Sequence, residues 1–193
     1  FAEGNKLAKP SGETTLVFDG DLPVMDGALA LYPVYTAFAE AVYSRKAYEN
    51  NRESVMFTNT VKAFDALIAG ERDVIFTAAA SKKQLEAASR AGVELCFTPI
   101  GREAFVLLVG KNNPVNNITV RNIRNIYGGK TARWRSLGWD EGGESVAFRR
   151  PEGSGSETGL QSVMKGLPII KPQPLPDMSL AGDGSLMEQI SVE

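Results

Sequence analysis

Residues 54–77 read SVMFTNTVKAFDALIAGERDVIFT, and this stretch combines two patterns of apolar side chains. Its two ends, Ser54–Thr58 and Asp73–Thr77, are short β-rich runs that predict strands. Between them the apolar positions recur with helical spacing and stop at Gly70, which predicts an amphipathic helix. A strand, a helix and a second strand in this order indicate a βαβ unit, in which the two strands lie parallel in one sheet.

The same alternation extends in both directions through the first hundred residues. We expect a helix within Ala28–Tyr43 and another at Ser81–Ala91, where Ser81 and Gln84 have the spacing of a capping box. Further strands are expected at residues 14–18 and 93–98. The sequence therefore predicts an α/β fold with a parallel sheet.

The second half of the chain is less regular. Thr119 is a candidate N-cap for a short helix that would bury Ile123 and Ile126, and a second helix is expected at Glu157–Lys165. Prolines from Pro168 onward exclude a regular helix there. Strands are expected at residues 104–110 and 145–148.

Composition excludes several classes of protein. The chain has 193 residues, of which 43% are hydrophobic and 23% charged, and its net charge is −2, so a packed core is expected and nucleic-acid binding is not. It has no histidine and a single cysteine, Cys96, which excludes a Ser-His-Asp triad, histidine metal sites and an internal disulfide. No dinucleotide or Walker A motif is present. We therefore expect no enzyme, no cofactor and no metal, and we expect Cys96 to lie inside an apolar strand.

Positive charge is concentrated in one region. Residues 101–171 contain 11 basic and 6 acidic residues, whereas residues 1–100 contain 10 basic and 13 acidic ones. A cationic region suits an anionic ligand, although a solvated basic surface has the same composition.

The segment Arg150–Thr158, with the sequence RPEGSGSET, is the strongest candidate for a binding site. A strand is expected to lead into a glycine-bearing loop and then a helix, whose first N–H groups have no partner within the helix. Hydroxyls at Ser154 and Ser156 add donors, and Arg150 adds a planar set of N–H groups that suits an oxyanion. The alternative is an ordinary serine N-cap with an arginine that pairs with Glu152.

Two further junctions have the same character. Asp26–Ala30 is a loop that leads into a helix, and Thr58–Thr60 leads from the end of an expected strand into a helix. The carboxyl ends of parallel strands meet at one edge of a sheet, so donors from all three junctions could face one ligand. An Asp-Gly turn and a Thr60 N-cap are the alternatives for these two segments.

Several motifs, in the order in which they occur, resemble the phosphate-binding protein family of bacterial ABC importers. The resemblance runs from about Leu16 to about Lys165, and its closest match is Arg150–Ser156. The other matching segments are DGALALYP at 26–33, GERDVIF at 70–76, TPIGREAFV at 98–106, NPV at 113–115, IYGGK at 126–130 and Trp134.

The resemblance implies a two-lobed, class II periplasmic-binding-protein fold that lacks the C-terminal part of its first lobe. Residues 1–100 would form the N-terminal part of lobe one, residues 101–171 lobe two and residues 172–193 a truncated return segment. The ligand, phosphate or another tetrahedral oxyanion, would bind in a cleft between the lobes. The family's ligand-binding positions correspond to Ala28, Leu29, Thr58, Arg150, Ser154, Gly155 and Ser156.

The implied function is an extracytoplasmic solute-binding protein, periplasmic or lipid-anchored, that delivers its ligand to a membrane ABC permease. Two departures support an alternative, a sensor or interaction module that binds no phosphate. Leu29 stands where the family has a hydroxyl residue, and the loop Thr77–Ser81 lacks the carboxylate that accepts a phosphate proton in the family. A site built only of donors would discriminate weakly between phosphate and sulfate.

Overall fold

The computed structural model describes Gly4, residues 6–12 and residues 14–170. The chain forms two compact units. Of the described residues, the first unit contains those up to Thr98 and Gly153–Gly155, and the second contains Pro99–Glu152 and residues 156–170. The lobe boundaries expected near residues 100 and 171 stay predictions, and the expected return segment 172–193 lies outside the described residues.

A short parallel sheet organises the first unit. Strand β1 (Met25–Gly27) pairs in parallel with strand β2 (Val74–Phe76), and a parallel bridge joins Met25 to Val55 on the other side of β1. Gly27 is required at its position, because a Cβ there would lie 2.2 Å from the carbonyl oxygen of Phe76. The predicted α/β class with parallel strands is confirmed.

In the described residues of the first unit, four α-helices accompany this sheet. Ser44 caps α2, and Ser81 with Gln84 forms the predicted capping box of α4, with both of its hydrogen bonds present. The helix between the strands begins after Asn59 rather than after Thr60, since the Asn59 side chain accepts the N–H of Lys62. The helices are α1 (Tyr32–Val42), α2 (Arg45–Asn50), α3 (Thr60–Ile68) and α4 (Lys82–Arg90).

The core of the first unit lies between α1 and the sheet. Tyr35 is fully buried; its ring stacks on Phe76 at a centroid distance of 5.2 Å, and its hydroxyl donates to the carbonyl of Met56 at 2.7 Å. The Tyr43 hydroxyl donates to the carbonyl of Pro23. Buried tyrosines need such partners for their hydroxyls, and here the partners lie on segments that adjoin β1. The core therefore fixes the strands from which the candidate site extends.

The described part of the second unit has two α-helices, α5 (Val120–Tyr127) and α6 (Gly155–Met164). The first residue of α6, Gly155, belongs to the first unit. Thr119 caps α5 as predicted, and the predicted Ile123 and Ile126 are buried. The Arg124 side chain donates to the carbonyl of Val163 at 2.8 Å, which joins α5 to the end of α6.

Most of the other predicted strands are wrong. Residues 93–98 and 104–110 have no strand conformation, and residues 14–18, 54–58 and 145–148 contain at most an isolated bridge. Apolar β-rich runs show that a segment can pair, but pairing also needs a partner from elsewhere in the chain. Within the described residues these runs lack that partner, and much of 104–110 is solvent-exposed, including Val106. Cys96 is likewise exposed, not buried in a strand.

Candidate functional site

The carboxyl edge of the parallel sheet gathers the chain segments that follow β1, Val55 and β2. Ala28 follows β1, Thr58 lies three residues beyond Val55, and Thr77 follows β2. Ligands of open α/β sheets bind at this edge, because helices begin there and their first N–H groups have no intrahelical partner. Two of the predicted junctions, Ala28–Leu29 and Thr58–Thr60, therefore lie at one edge of one sheet.

Asp26 is the central polar residue of this edge. Its carboxylate is fully buried in β1 and accepts the N–H of Gly27 at 2.7 Å and the N–H of Thr58 at 2.8 Å. It also accepts the Thr58 hydroxyl at 2.8 Å and the Nε–H of Arg72 at 3.3 Å. A buried charge needs such partners, and Asp26 joins three segments that are far apart in sequence. Burial, and to a smaller extent the charge of Asp26, raise the pKa of Tyr35.

Both hydrogen-bond donors of Thr58 are bonded to Asp26, and the backbone of the next residue is strained. Asn59 has φ 150° and ψ 173°, a conformation that side-chain-bearing residues rarely adopt. Its own side chain caps α3. The two bonds from Thr58 to Asp26 on one side and the cap on the other hold Asn59 in this conformation. Such strain persists only where the surroundings over-determine the backbone, and it is most common at functional sites.

The Ala28–Leu29 junction has fewer available backbone N–H donors than the sequence predicts. The N–H of Ala28 donates to the carbonyl of Phe76 at 2.9 Å, so it continues the strand pairing. Leu29 begins the short 3-10 turn Leu29–Leu31 before α1, and its side chain is 58% exposed. The backbone N–H of Leu29 is therefore the donor that this junction could present to a ligand.

The Gly153–Gly155 segment packs against the starts of two helices in the first unit. A Cβ on Gly155 would lie 3.4 Å from the Cβ of Ala78 and 3.8 Å from the hydroxyl oxygen of Thr60. The Gln84 amide donates to the carbonyl of Gly153 at 3.2 Å. The predicted Gly155, where α6 begins, thus lies beside the start of α3 and the loop that follows β2. Ser154 is half-buried in the same segment.

The remaining predicted residues, Arg150 and Ser156, belong to the second unit, where Arg150 is half-buried and Ser156 exposed. The neighbouring Arg149 forms an ion pair with Glu157, which is 1% exposed, and its Nε–H lies 3.0 Å from the carboxylate. The hydrogen bond to Glu157, the largest cause, raises the pKa of Arg149. Arg149 is therefore used in this pair, and Arg150 as the cation for a ligand stays a prediction.

Sequence reasoning did not identify Asp26 as the residue that organises the edge, nor the roles of Arg72 and Gln84. The Asp-Gly dipeptide at 26–27 suggested a turn, whereas both residues lie in β1. The sequence signal that could have identified Asp26 is an acidic residue directly after the apolar Val24 and Met25. Arg72 is 46 residues from Asp26 and Gln84 is 69 residues from Gly153, so local spacing carries no information on either contact.

The part of the chain that the structure describes contains no cluster of three acidic, cysteine or histidine side chains able to hold a metal ion. None of its helices has the length and apolar character needed to cross a lipid bilayer.

Comparisons with known proteins agree with the resemblance seen in the sequence. A family model described as a PBP superfamily domain matches residues 23–189. Protein SphX of Synechococcus elongatus is 30% identical over 121 residues, which are 60% of this chain and 35% of SphX. The chain therefore spans about a third of that curated relative.

Two solved structures are similar at low identity. An ABC-type phosphate transport receptor from Vibrio cholerae is 16% identical with a TM-score of 0.41, and the match covers 75% of this chain and 56% of the receptor. A possible phosphate binding protein from Planctomyces limnophilus is 18% identical with a TM-score of 0.41, and the match covers 79% of this chain and 54% of that protein.

Proposed function

The chain belongs to the PBP superfamily, and on that premise we propose that it is a non-enzymatic solute-binding protein for phosphate or a similar tetrahedral oxyanion. In the complete protein it would act outside the cytoplasm and deliver the anion to a membrane ABC permease. The proposed ligand-binding residues are those that the sequence indicates, with the N–H of Leu29 in place of that of Ala28.

One observation carries this proposal: Gly155 and the start of α3 lie together at the carboxyl edge of the sheet. Helix α3 begins directly after the strained Asn59, and Gly155 at the start of α6 lies beside Thr60 and Ala78. Helix starts present N–H groups and partial positive charge, which favour an anion. A glycine at 155 also allows the backbone to approach a bound oxyanion closely. Arg150 is the proposed cationic partner, in a region of the sequence with excess positive charge.

Isothermal titration calorimetry with phosphate, sulfate and a neutral sugar tests the proposal. We expect both anions to bind and the sugar not to bind. Because a hydrogen bond to a charged group is worth about 1.5–3 kcal/mol, Arg150→Ala should weaken phosphate binding roughly 10- to 150-fold. Arg121→Ala is the matched control, since Arg121 is an exposed arginine of α5 in the same unit. Equal losses in the two variants would show that general charge, not Arg150, holds the anion.

A sensor or interaction module without anion binding is the second candidate. It is favoured by the apolar, exposed Leu29 at a proposed ligand junction and by the engagement of the Ala28 N–H in strand pairing. Absence of heat with phosphate and with sulfate, for a chain that is folded by circular dichroism, would favour this candidate. A turnover assay with phosphate esters in the same samples would detect an enzyme.

A further inference from the structure

Two exposed apolar side chains lie on the segments that form the carboxyl edge of the sheet. Leu29 and Phe57 are each 58% exposed. Leu29 lies two residues beyond Gly27, the last residue of β1, and Phe57 directly precedes Thr58. Both side chains therefore stand beside backbone that the proposed anion site uses, and an inorganic anion has no contact to make with either.

Tyr32 joins these two side chains into one surface. Its ring packs edge-on against the ring of Phe57 at a centroid distance of 5.1 Å. Its backbone N–H donates to the carbonyl of Leu29 in a 3-10 turn, in which side chains three residues apart lie on the same side. Leu29, Tyr32 and Phe57 thus form an apolar patch. A single exposed apolar side chain is ordinary, whereas a contiguous group beside polar donors is typical of an interaction surface.

The backbone N–H of Leu29 connects the apolar patch to the proposed anion site. The N–H of Ala28 is used in pairing with Phe76, so Leu29 supplies the donor of this junction. An oxyanion bonded to that N–H lies beside the side chain of the same residue. Inorganic phosphate has oxygens on all sides, so it would leave the patch in water. An oxyanion that carries an apolar group would cover the patch, and burial of apolar surface is favourable.

We propose that the anion site takes organic phosphoryl compounds, either phosphate monoesters or phosphonates, whose apolar group packs against Leu29, Tyr32 and Phe57. The inference rests on the proposed function and names the ligand class of the same site. The phosphoryl oxygens bond to the N–H groups, and the apolar group points to the patch. An aromatic group fits best, because two of the three side chains are rings that allow edge-to-face or offset-stacked contacts.

Calorimetry with inorganic phosphate, methylphosphonate and phenylphosphonate tests the inference. The three ligands share the phosphoryl oxygens and differ in apolar area. We expect phenylphosphonate to bind at least about tenfold more tightly than phosphate, because the ring buries apolar surface, and methylphosphonate to lie between them. Phenyl phosphate is a further arm, and the tighter binder of the two phenyl compounds identifies whether the site takes esters or phosphonates.

Substitutions at Leu29 test the role of the patch. Leu29→Asn keeps the size of the side chain but makes its end polar, so it should lower the ratio of phenylphosphonate to phosphate affinity about fivefold or more. Leu29→Met stays apolar and should keep the ratio. Leu16→Asn is the matched control, because Leu16 is 54% exposed and lies two residues before Phe18, which forms a bridge with Tyr43 just beyond the other end of α1. It should leave the ratio unchanged.

The possible failures of this inference and of the proposed function give different results. Circular dichroism checks that each variant is folded. A wild type that binds phosphate as tightly as phenylphosphonate, or a ratio that Leu29→Asn lowers no more than Leu16→Asn does, overturns the inference and leaves the proposed function intact. Neutral phenol that binds as tightly as phenylphosphonate also overturns it, because the patch would then act without the anion site. A wild type that binds none of the anions overturns both.

Discussion

Replacing Arg149 with methionine removes the arginine that faces the carboxylate of Glu157 in the second unit. Glu157 is 1% exposed, whereas the Arg149 side chain is 25% exposed. The hydrogen bond from Gln161 to the carboxylate, at 3.2 Å, would remain. A buried charge that loses its ion-pair partner costs about 3–5 kcal/mol. Because Arg149 is partly solvated and Gln161 stays in place, we expect the lower end of this range, about 3 kcal/mol of unfolding free energy.

Urea denaturation followed by circular dichroism measures this loss. With a slope of about 2 kcal/mol per molar urea, a loss of about 3 kcal/mol lowers the midpoint by about 1.5 M. Combining Arg149→Met with Glu157→Met removes both charges and should recover most of the loss, because an apolar pair replaces a buried ion pair at little cost.

The exposed ion pair between Arg45 and Glu49 in α2 provides the matched control, since both side chains are about half exposed or more. Arg45→Met should cost only about 0.5 kcal/mol or less. A loss for Arg149→Met no larger than that of the control would refute the reasoning, because it would show that solvent screens Glu157. A double variant as unstable as the single one would show that Arg149 acts through packing.

Three further predictions concern the first unit. Gly27→Ala should destabilise the chain by about 3 kcal/mol in thermal unfolding, because the added methyl meets the carbonyl of Phe76; an unchanged melting temperature would contradict the strand register. Gln84→Glu keeps the side-chain oxygen that the capping box needs but replaces the amide that donates to the carbonyl of Gly153. We expect it to lower the free energy of unfolding by about 1–3 kcal/mol, with Gln84→Ala as the comparison variant. Burial, the largest cause, raises the pKa of Tyr43 to about 12. The folded state therefore keeps this proton longer than the unfolded state, and stability should fall as the pH rises from about 10 to 12; Tyr43→Phe should reduce this fall in urea titrations.

Helices could be predicted from the sequence because the information that sets them is local. The capping box of Ser81 and Gln84, the Thr119 cap and the spacing of Ile123 and Ile126 each lie within a few residues, and the structure confirms all of them. The α2 helix was missed although Ser44 caps it, because the helix is only six residues long and no apolar period develops.

Strands and the organisation of the site depend on distant residues. Met25 pairs with Val74 and forms a bridge with Val55, and neither contact has a signature in the sequence near Met25. The apolar run at 104–110 has the composition of a strand, but a strand also needs a neighbour. For the same reason the sequence predicts only part of the site. Donors at helix starts can be recognised from the local sequence, whereas the direction of the Thr58 hydroxyl depends on Asp26, which is 32 residues away.

The exposed segment at 104–110 affects how the chain behaves at high concentration. It reads AFVLLVG, without a charge or a proline, and Val106 is 66% exposed and Leu108 55% exposed. Within the described residues its backbone N–H groups have no strand partner. Short, uncharged, β-rich segments of this kind associate between molecules as intermolecular strands. A single lysine at Val106 would place a charge in the middle of the segment and should keep concentrated solutions of the chain free of aggregates.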